Sequence, residues 1–203
     1  FNLPAIPAGT ADESGVPLGN DFTSDVRVRR AINIGIDREE MIENVLYGYG
    51  TPAYSVCSKM PWYSEASQVE YDPKEAGRLL DEAGWTVGAD GFRQKDGVRA
   101  GFTLMYSAGD SVRQALSEDT ANQLGELGID VTVEGVGWDV AYDRAQSTPM
   151  MWGWGAHTPM EFYNIYHTAP GGEYARYSPY RSETADAYMD AALESTDLEE
   201  SYE

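Results

Sequence analysis

The chain has 203 residues, 42% of them apolar and 12% aromatic, with 14 Tyr and 5 Trp, which is length enough for one large domain or two small ones and too aromatic for a disordered chain. Its formal charge of −20 lacks the basic footprint that nucleic acid or an anionic membrane surface demands. The single cysteine, Cys57, excludes an internal disulfide framework, and no apolar run reaches the roughly 18 residues of a membrane-spanning helix.

The sequence opens at Phe1 rather than Met and ends at Glu203, soon after the helix-start signal Asp197-Leu198-Glu199-Glu200. A processed or excised piece of a longer polypeptide is therefore expected. Residues 1–24 are rich in Pro, Gly, Ala and Asp without a period, and read as an extended leading segment. From Asp25 the spacing of Val28, Ala31 and Ile32 predicts a helix. Asp37 starts a second one with Met41, Ile42, Val45 and Leu46 on one face, closed by Tyr47-Gly48-Tyr49-Gly50. Residues 51–71 are irregular and include Pro52, Cys57, Pro61 and Trp62. Cys57 has no nearby histidine pattern and is expected to be a small buried or half-buried hydrophobe.

Asp72-Pro73-Lys74-Glu75 is a strong helix start, with Ala76, Leu79, Leu80 and Ala83 at helical spacing and Gly84 as the stop. Asp96-Gly97 signals a hairpin between short runs around Phe92 and Val98. Phe102, Leu104 and Tyr106 alternate as a strand. Val112, Ala115, Leu116, Leu124 and Leu127 mark a long helix ending at Gly128, and Ile129, Val131 and Val133 form a half-buried strand. A short helix carries Trp138, Tyr142 and Ala145 on one side. A buried strand is expected over Met150–Trp154, and a last helix from Glu183, capped by Ser182, with Ala185, Tyr188, Met189 and Ala192 inside. Strands alternating with helices put the chain in the α/β class.

Signatures of catalysis are missing. There is no G-x-S-x-G, H-E-x-x-H, phosphate-binding loop or paired C-x-x-C, so no enzyme and no cofactor are expected. The segment Met151-Trp152-Gly153-Trp154-Gly155-Ala156-His157-Thr158-Pro159 is different. It leaves a strand and gathers Trp, His and glycine in one loop, where ligands collect at the carboxyl ends of strands and glycine lets the backbone approach them. Trp152 and Trp154 have period-2 spacing and share a sheet face, so one of them is expected to be core and Trp154 to meet ligand.

Arg27-Val28-Arg29-Arg30-Ala31-Ile32-Asn33-Ile34-Gly35-Ile36-Asp37-Arg38, followed by Ile42 and Leu46-Tyr47-Gly48, resembles the signature of the family 5 solute-binding proteins. These are the dipeptide-, oligopeptide- and nickel-binding components of ABC importers. Tyr71-Asp72-Pro73, Leu79-Leu80, Glu82-Ala83-Gly84-Trp85, Lys95-Asp96-Gly97, Leu127-Gly128-Ile129-Asp130-Val131 and Ser178-Pro179-Tyr180 match later blocks in the right order. The resemblance covers roughly residues 20–203. It implies a periplasmic-binding-protein-like α/β lobe of the oligopeptide-binding class, with a mixed sheet flanked by helices. Residues 25–203 would be the second lobe of a two-lobed clamp.

The function so implied is capture of a peptide-like solute by clamp closure and delivery to a membrane permease. The alternatives are a nickel or metal-chelate carrier of the same family, or the sensor domain of a transcription regulator with the same fold. The expected partners are a small peptide or metal-chelate ligand and ABC permease subunits, with no nucleic acid, for an extracytoplasmic monomer that is periplasmic or a cell-surface lipoprotein. Peptide-binding relatives hold the ligand α-amine with an Asp in the loop that reads Gly155–Pro159 here; that loop has no Asp, and Glu161 is the substitute. Nickel-binding relatives begin the loop with Trp-Gly-Ala, as Trp154-Gly155-Ala156 does, and His157 or His167 would offer a metal an imidazole. Arg113 matches a position where some relatives hold a ligand carboxylate, and a solvated helix-face arginine is its other reading. The ligand-contact candidates are thus Trp154, Gly155, His157, Glu161, Trp152, Arg113 and Tyr106.

Overall fold

The structure is a computed structural model that describes residues 3–11, 15, 17–153, 158–168 and 181–202. It divides into two compact units, residues 1–52 with 69–152 and residues 53–68 with 153–203.

In the first unit the described part of the leading segment includes a short strand pair and a buried proline. β1 (Thr10–Ala11) pairs antiparallel with β2 (Pro17–Leu18), Pro4 is fully buried, and the Thr23 hydroxyl donates to the Pro4 carbonyl at 2.7 Å. Three helices then begin on aspartate caps, two of them, Asp37 and Asp72, at the helix starts the sequence predicts. Asp25 accepts from the Arg27 amide ahead of α1 (Val26–Ile34), Asp37 from Glu39 and Glu40 ahead of α2 (Arg38–Leu46), and Asp72 from Glu75 ahead of α3 (Pro73–Glu82). Each cap satisfies amides that the helix itself leaves without acceptors. Gly84 ends the third helical segment at φ +88, a conformation that suits a residue without Cβ.

β3 (Thr86–Val87), β4 (Arg93–Lys95) and β5 (Val98–Arg99) form an antiparallel ribbon. Lys95 and Val98 are register partners, and Asp96 and Gly97 between them have φ of 52 and 79. Two positive angles in a two-residue loop define the tight turn whose twist suits a hairpin. The main sheet comprises β6 (Gly101–Ser107), β7 (Asp130–Val136) and β8 (Met150–Met151) in the order β7-β6-β8, all parallel. α4 (Ser111–Glu126) joins the first two strands and α5 (Trp138–Arg144) returns the chain to the far edge. The expected strand over Met150–Trp154 is shorter than its sequence suggests. β6 ends at Ser107, so beyond the pairs Met105 with Met150 and Tyr106 with Met151 there is little partner backbone to extend against.

α4 and α5 cover opposite faces of this sheet. Leu124 of α4 clusters with Phe102 and Leu104, whereas Ala141 of α5 clusters with Met105 and Met150, and alternate strand residues point to opposite sides. The buried stripe of α4 is more polar than its leucines imply, because Val112 is exposed while Ser117, Thr120 and Leu124 are buried. The two hydroxyls donate to the Arg113 and Leu116 carbonyls one turn back, both at 2.8 Å, so their burial leaves no polar group wanting. Arg93 staples the lower end of the unit. Its buried guanidinium donates to the Leu127 carbonyl at 2.7 Å and the Trp85 carbonyl at 2.6 Å, and pairs with Asp81 at 2.5 Å.

The second unit holds a 3-10 turn at Glu65–Ser67, α6 (Met160–Tyr166), α7 (Glu183–Glu194) and a final 3-10 turn at Glu200–Tyr202. Ser182 accepts from the Ala185 amide and caps α7 as expected. Tyr188, expected inside, is exposed on α7; Ala185, Met189 and Ala192 are half-buried. Cys57 is buried as expected, its sulfur 3.2 Å from the Ser55 hydroxyl.

Candidate functional site

Parallel strands whose following helices leave toward opposite faces open a crevice at their carboxyl ends, and β6 and β7 are such a pair. After β6, Gly109 turns the chain at φ +88, and the Ala108 amide donates to the Val136 carbonyl at 2.8 Å, which ties the two strand ends together. Asp110 then caps α4, accepting from the Arg113 amide at 2.9 Å and from its guanidinium Nη1 at 2.6 Å. The Arg113 backbone N–H, aided by the guanidinium charge, holds the Asp110 carboxyl below the usual carboxylate range. Arg113 is therefore a tethered, half-buried cation rather than a freely solvated one. Tethering leaves other N–H donors of its fork able to meet a carboxylate at low entropic cost.

Tyr106 lies on the same sheet face as Phe102 and Leu104, with its ring laid across Gly135 of β7. A Cβ at Gly135 would come within 2.8 Å of the Tyr106 hydroxyl oxygen, so that glycine is what lets the ring settle there.

The opposite face carries a group of aromatic rings that the sequence reading left unassembled. Trp152 packs on Met105, Val136, Ala141 and Met150. Trp138 stands edge-on to it at 5.3 Å and 65°, and Tyr142 lies 5.8 Å away at 56°. The Trp138 and Tyr142 rings are themselves 5.8 Å apart. Trp152 is half-buried, whereas Trp138 and Tyr142 each keep 41% of their surface exposed. Broad ring faces flanked by indole N–H and phenol groups give a ligand apolar contact and orienting hydrogen bonds together, with few rotors to freeze. Trp138 and Tyr142 appeared in the sequence as one side of a helix. The signal that could have found them is their i, i+4 spacing directly after Gly137, at the exit of a parallel strand.

In the second unit, Glu161 is half-buried in the first turn of α6. His167 is 5% exposed, stacked on Tyr163 at 4.2 Å, with Nε2 3.1 Å from a carboxylate oxygen of Asp190. The following amide, of Thr168, donates to Asp186 at 3.0 Å. His167 thus joins α6 to α7, and among the described residues no three His, Cys, Asp or Glu side chains gather as a metal site. Trp154, Gly155 and His157 lie outside the described residues.

Residues 10–175 match the family described as bacterial extracellular solute-binding proteins, family 5 Middle. The chain belongs to that family. Family 5 proteins bind solutes and do not turn them over, in agreement with the reading of the motifs. Protein XP55 of Streptomyces lividans is 35% identical over 186 residues, covering 90% of this chain and 34% of the relative. The oligopeptide-binding protein AppA of Bacillus subtilis is 30% identical over 225 residues, covering 97% of this chain and 41% of the relative. The solved structure of AppA with a nonapeptide matches with a TM-score of 0.77 over 90% of this chain and 38% of that one. NikA from Brucella suis in complex with Fe(III)-EDTA matches at 28% identity, with a TM-score of 0.73, over 89% of this chain and 38% of that one. The chain therefore spans between a third and a little over two fifths of the length of these relatives. These solved structures share the α/β architecture expected for a lobe of a periplasmic-binding protein. Among the described helices, none is long and apolar enough to cross a membrane.

Proposed function

We propose that this chain supplies one wall of the cleft in an importer-type solute-binding protein, and that its ligand is peptide-like. The observation that carries the reading is the half-exposed group of Trp138, Tyr142 and Trp152 at the carboxyl ends of parallel strands. Peptides present amide planes and varied side chains, and aromatic faces accept both without demanding one sequence. The match to a protein solved with a nonapeptide supports the same class of ligand. Tethered Arg113 would meet a carboxylate and Tyr106 would line the α4 side, while Trp154, Gly155, His157 and Glu161 stay proposed as ligand contacts on the sequence motif alone. Ligand that touches both walls only when they close would stabilise the closed state, and the closed form would present its cargo to a membrane permease.

Native mass spectrometry of the full-length protein, purified without added ligand, tests this directly. A ladder of co-purified peptides is expected, and a single metal adduct would overturn the peptide assignment. In calorimetry with a peptide panel, Trp138→Ala should weaken binding by about tenfold to a hundredfold with little change in melting temperature. Unchanged affinity would remove the aromatic group from the cleft.

A further inference from the structure

The turn that ends α2 departs from what local stability favours in three ways. Tyr47 occupies the helix C-cap at φ 54 and ψ 37, a left-handed conformation that disfavours any residue with a Cβ. Tyr47 and Tyr49 are 82% and 86% exposed, so among the described residues neither ring is repaid by burial. Glu43 stands in the last turn of α2, where the helix dipole is negative and no basic residue offsets it. Its carboxylate reaches toward the turn, with one oxygen 3.4 Å from where a Cβ on Gly48 would sit, and it has no ion pair among the described residues. The turn is nevertheless well held. The Gly48 amide donates to the Ile42 carbonyl at 3.1 Å and the Tyr49 amide to the Leu46 carbonyl at 2.9 Å. Departures from local rules that a fold holds in place are concentrated at functional surfaces.

Building on the importer reading above, we propose that the Tyr47-Gly48-Tyr49 turn, with Glu43 beside it, is a docking knob for a basic protein surface on the membrane partner. Glu40 and Glu43 are exposed at i, i+3 spacing and lead along α2 to the turn, while Arg38, the one cation of that helix, bonds to Asn33. The chemistry that fits is arginine or lysine, because a guanidinium stacks on a tyrosine face and pairs with a neighbouring carboxylate. The hydrogen-bonded turn fixes the backbone that carries both rings, which lowers the entropy lost on docking. A second copy of the chain is the wrong partner, since it would bring a like acidic patch and a formal charge of −20. The knob is built from other elements than the aromatic group at the strand ends, so the two sites can be damaged separately.

The test uses full-length protein and its cognate permease complex in nanodiscs, with docking followed by biolayer interferometry and peptide affinity by calorimetry. The double variant Tyr47→Ser/Tyr49→Ser is expected to dock at least tenfold more weakly, with unchanged peptide affinity and melting temperature. Glu43→Lys should do the same and also flatten the salt dependence of docking. Docking equal to the wild type in both variants would overturn the proposal. So would a fall in melting temperature or peptide affinity, because the tyrosines would then serve the rest of the polypeptide. Wild-type protein that docks but captures no peptide would refute the ligand assignment and leave the docking comparison intact.

Discussion

The two units bury different kinds of material. In the first, Ile32, Leu80, Leu104, Leu124, Ile129, Met105 and Met150 are all fully buried around a parallel sheet with helices on both faces. In the second, the described buried side chains are few, Cys57, Ile165 and His167 among them, and α7 buries none completely. Among the described contacts, those that join α6 to α7 include the approach of His167 to Asp190 and the Thr168 amide on Asp186, with the His167 ring stacked on Tyr163 of its own helix. Even the phenol of Tyr166 is held by burial, which raises its pKa, with Cys57 adding to the effect. Apolar burial scales with area and is indifferent to direction, whereas a stacked, hydrogen-bonded joint depends on geometry and on protonation. The first unit should therefore lose stability through cavities and the second through broken partnerships.

The largest expected effect is Leu104→Ala. It removes a fully buried side chain between α4 and the sheet, and should cost about 2–5 kcal/mol in urea unfolding. A cost under about 1 kcal/mol would mean that the site collapses and that the contrast between the units is overstated. Next comes His167→Ala, which deletes the stack on Tyr163 and the contact with Asp190. About 1–2 kcal/mol is expected, read as roughly tenfold faster hydrogen exchange in α6 and α7 with β6 unchanged. Equal acceleration in β6 would show that the units do not open independently.

The smallest effect concerns the bidentate pair between Arg144 of α5 and Glu134 of β7, at 3.0 and 2.9 Å on the surface of the first unit. The hydrogen bonds from Arg144 hold the Glu134 carboxyl below its ordinary value. A lowered folded pKa contributes stability that is present above the unfolded value, about 4.3, and is lost as pH falls through the folded value. Glu134→Gln should thus be destabilised at neutral pH, by less than about 1 kcal/mol because both side chains are well exposed to solvent. The difference from wild type should vanish in acid. A gap that persists at low pH would mean that Glu134 acts through packing.

Much of the local structure was legible from short spans. Asp72 and Asp37 as helix starts, Gly84 and Gly128 as stops, and Asp96-Gly97 as a turn all follow from hydrogen bonds or backbone angles within a few residues. The stripe of α4 was less legible, since burial of Ser117 and Thr120 depends on hydroxyls finding carbonyls in their own helix. Within the site, Trp152 was singled out from its position at a strand end and Arg113 from the resemblance to the family, while Tyr106 was legible only as a strand residue. Trp138 and Tyr142 were not singled out, because their partnership with Trp152 spans a helix and a strand crossing.

By itself the sequence determined the class of fold, the presence of the described helices other than α6, several of their starts and stops, and the family, because caps, turns and ordered motif blocks are encoded in neighbouring residues. Tertiary structure alone decided the order β7-β6-β8, the pairing of residues 53–68 with 153–203, the approach of His167 to Asp190 and the assembly of three aromatic rings on one sheet face. Those features join residues far apart in the chain, and which of the many possible closures forms is settled by the apolar surface that each one removes from water.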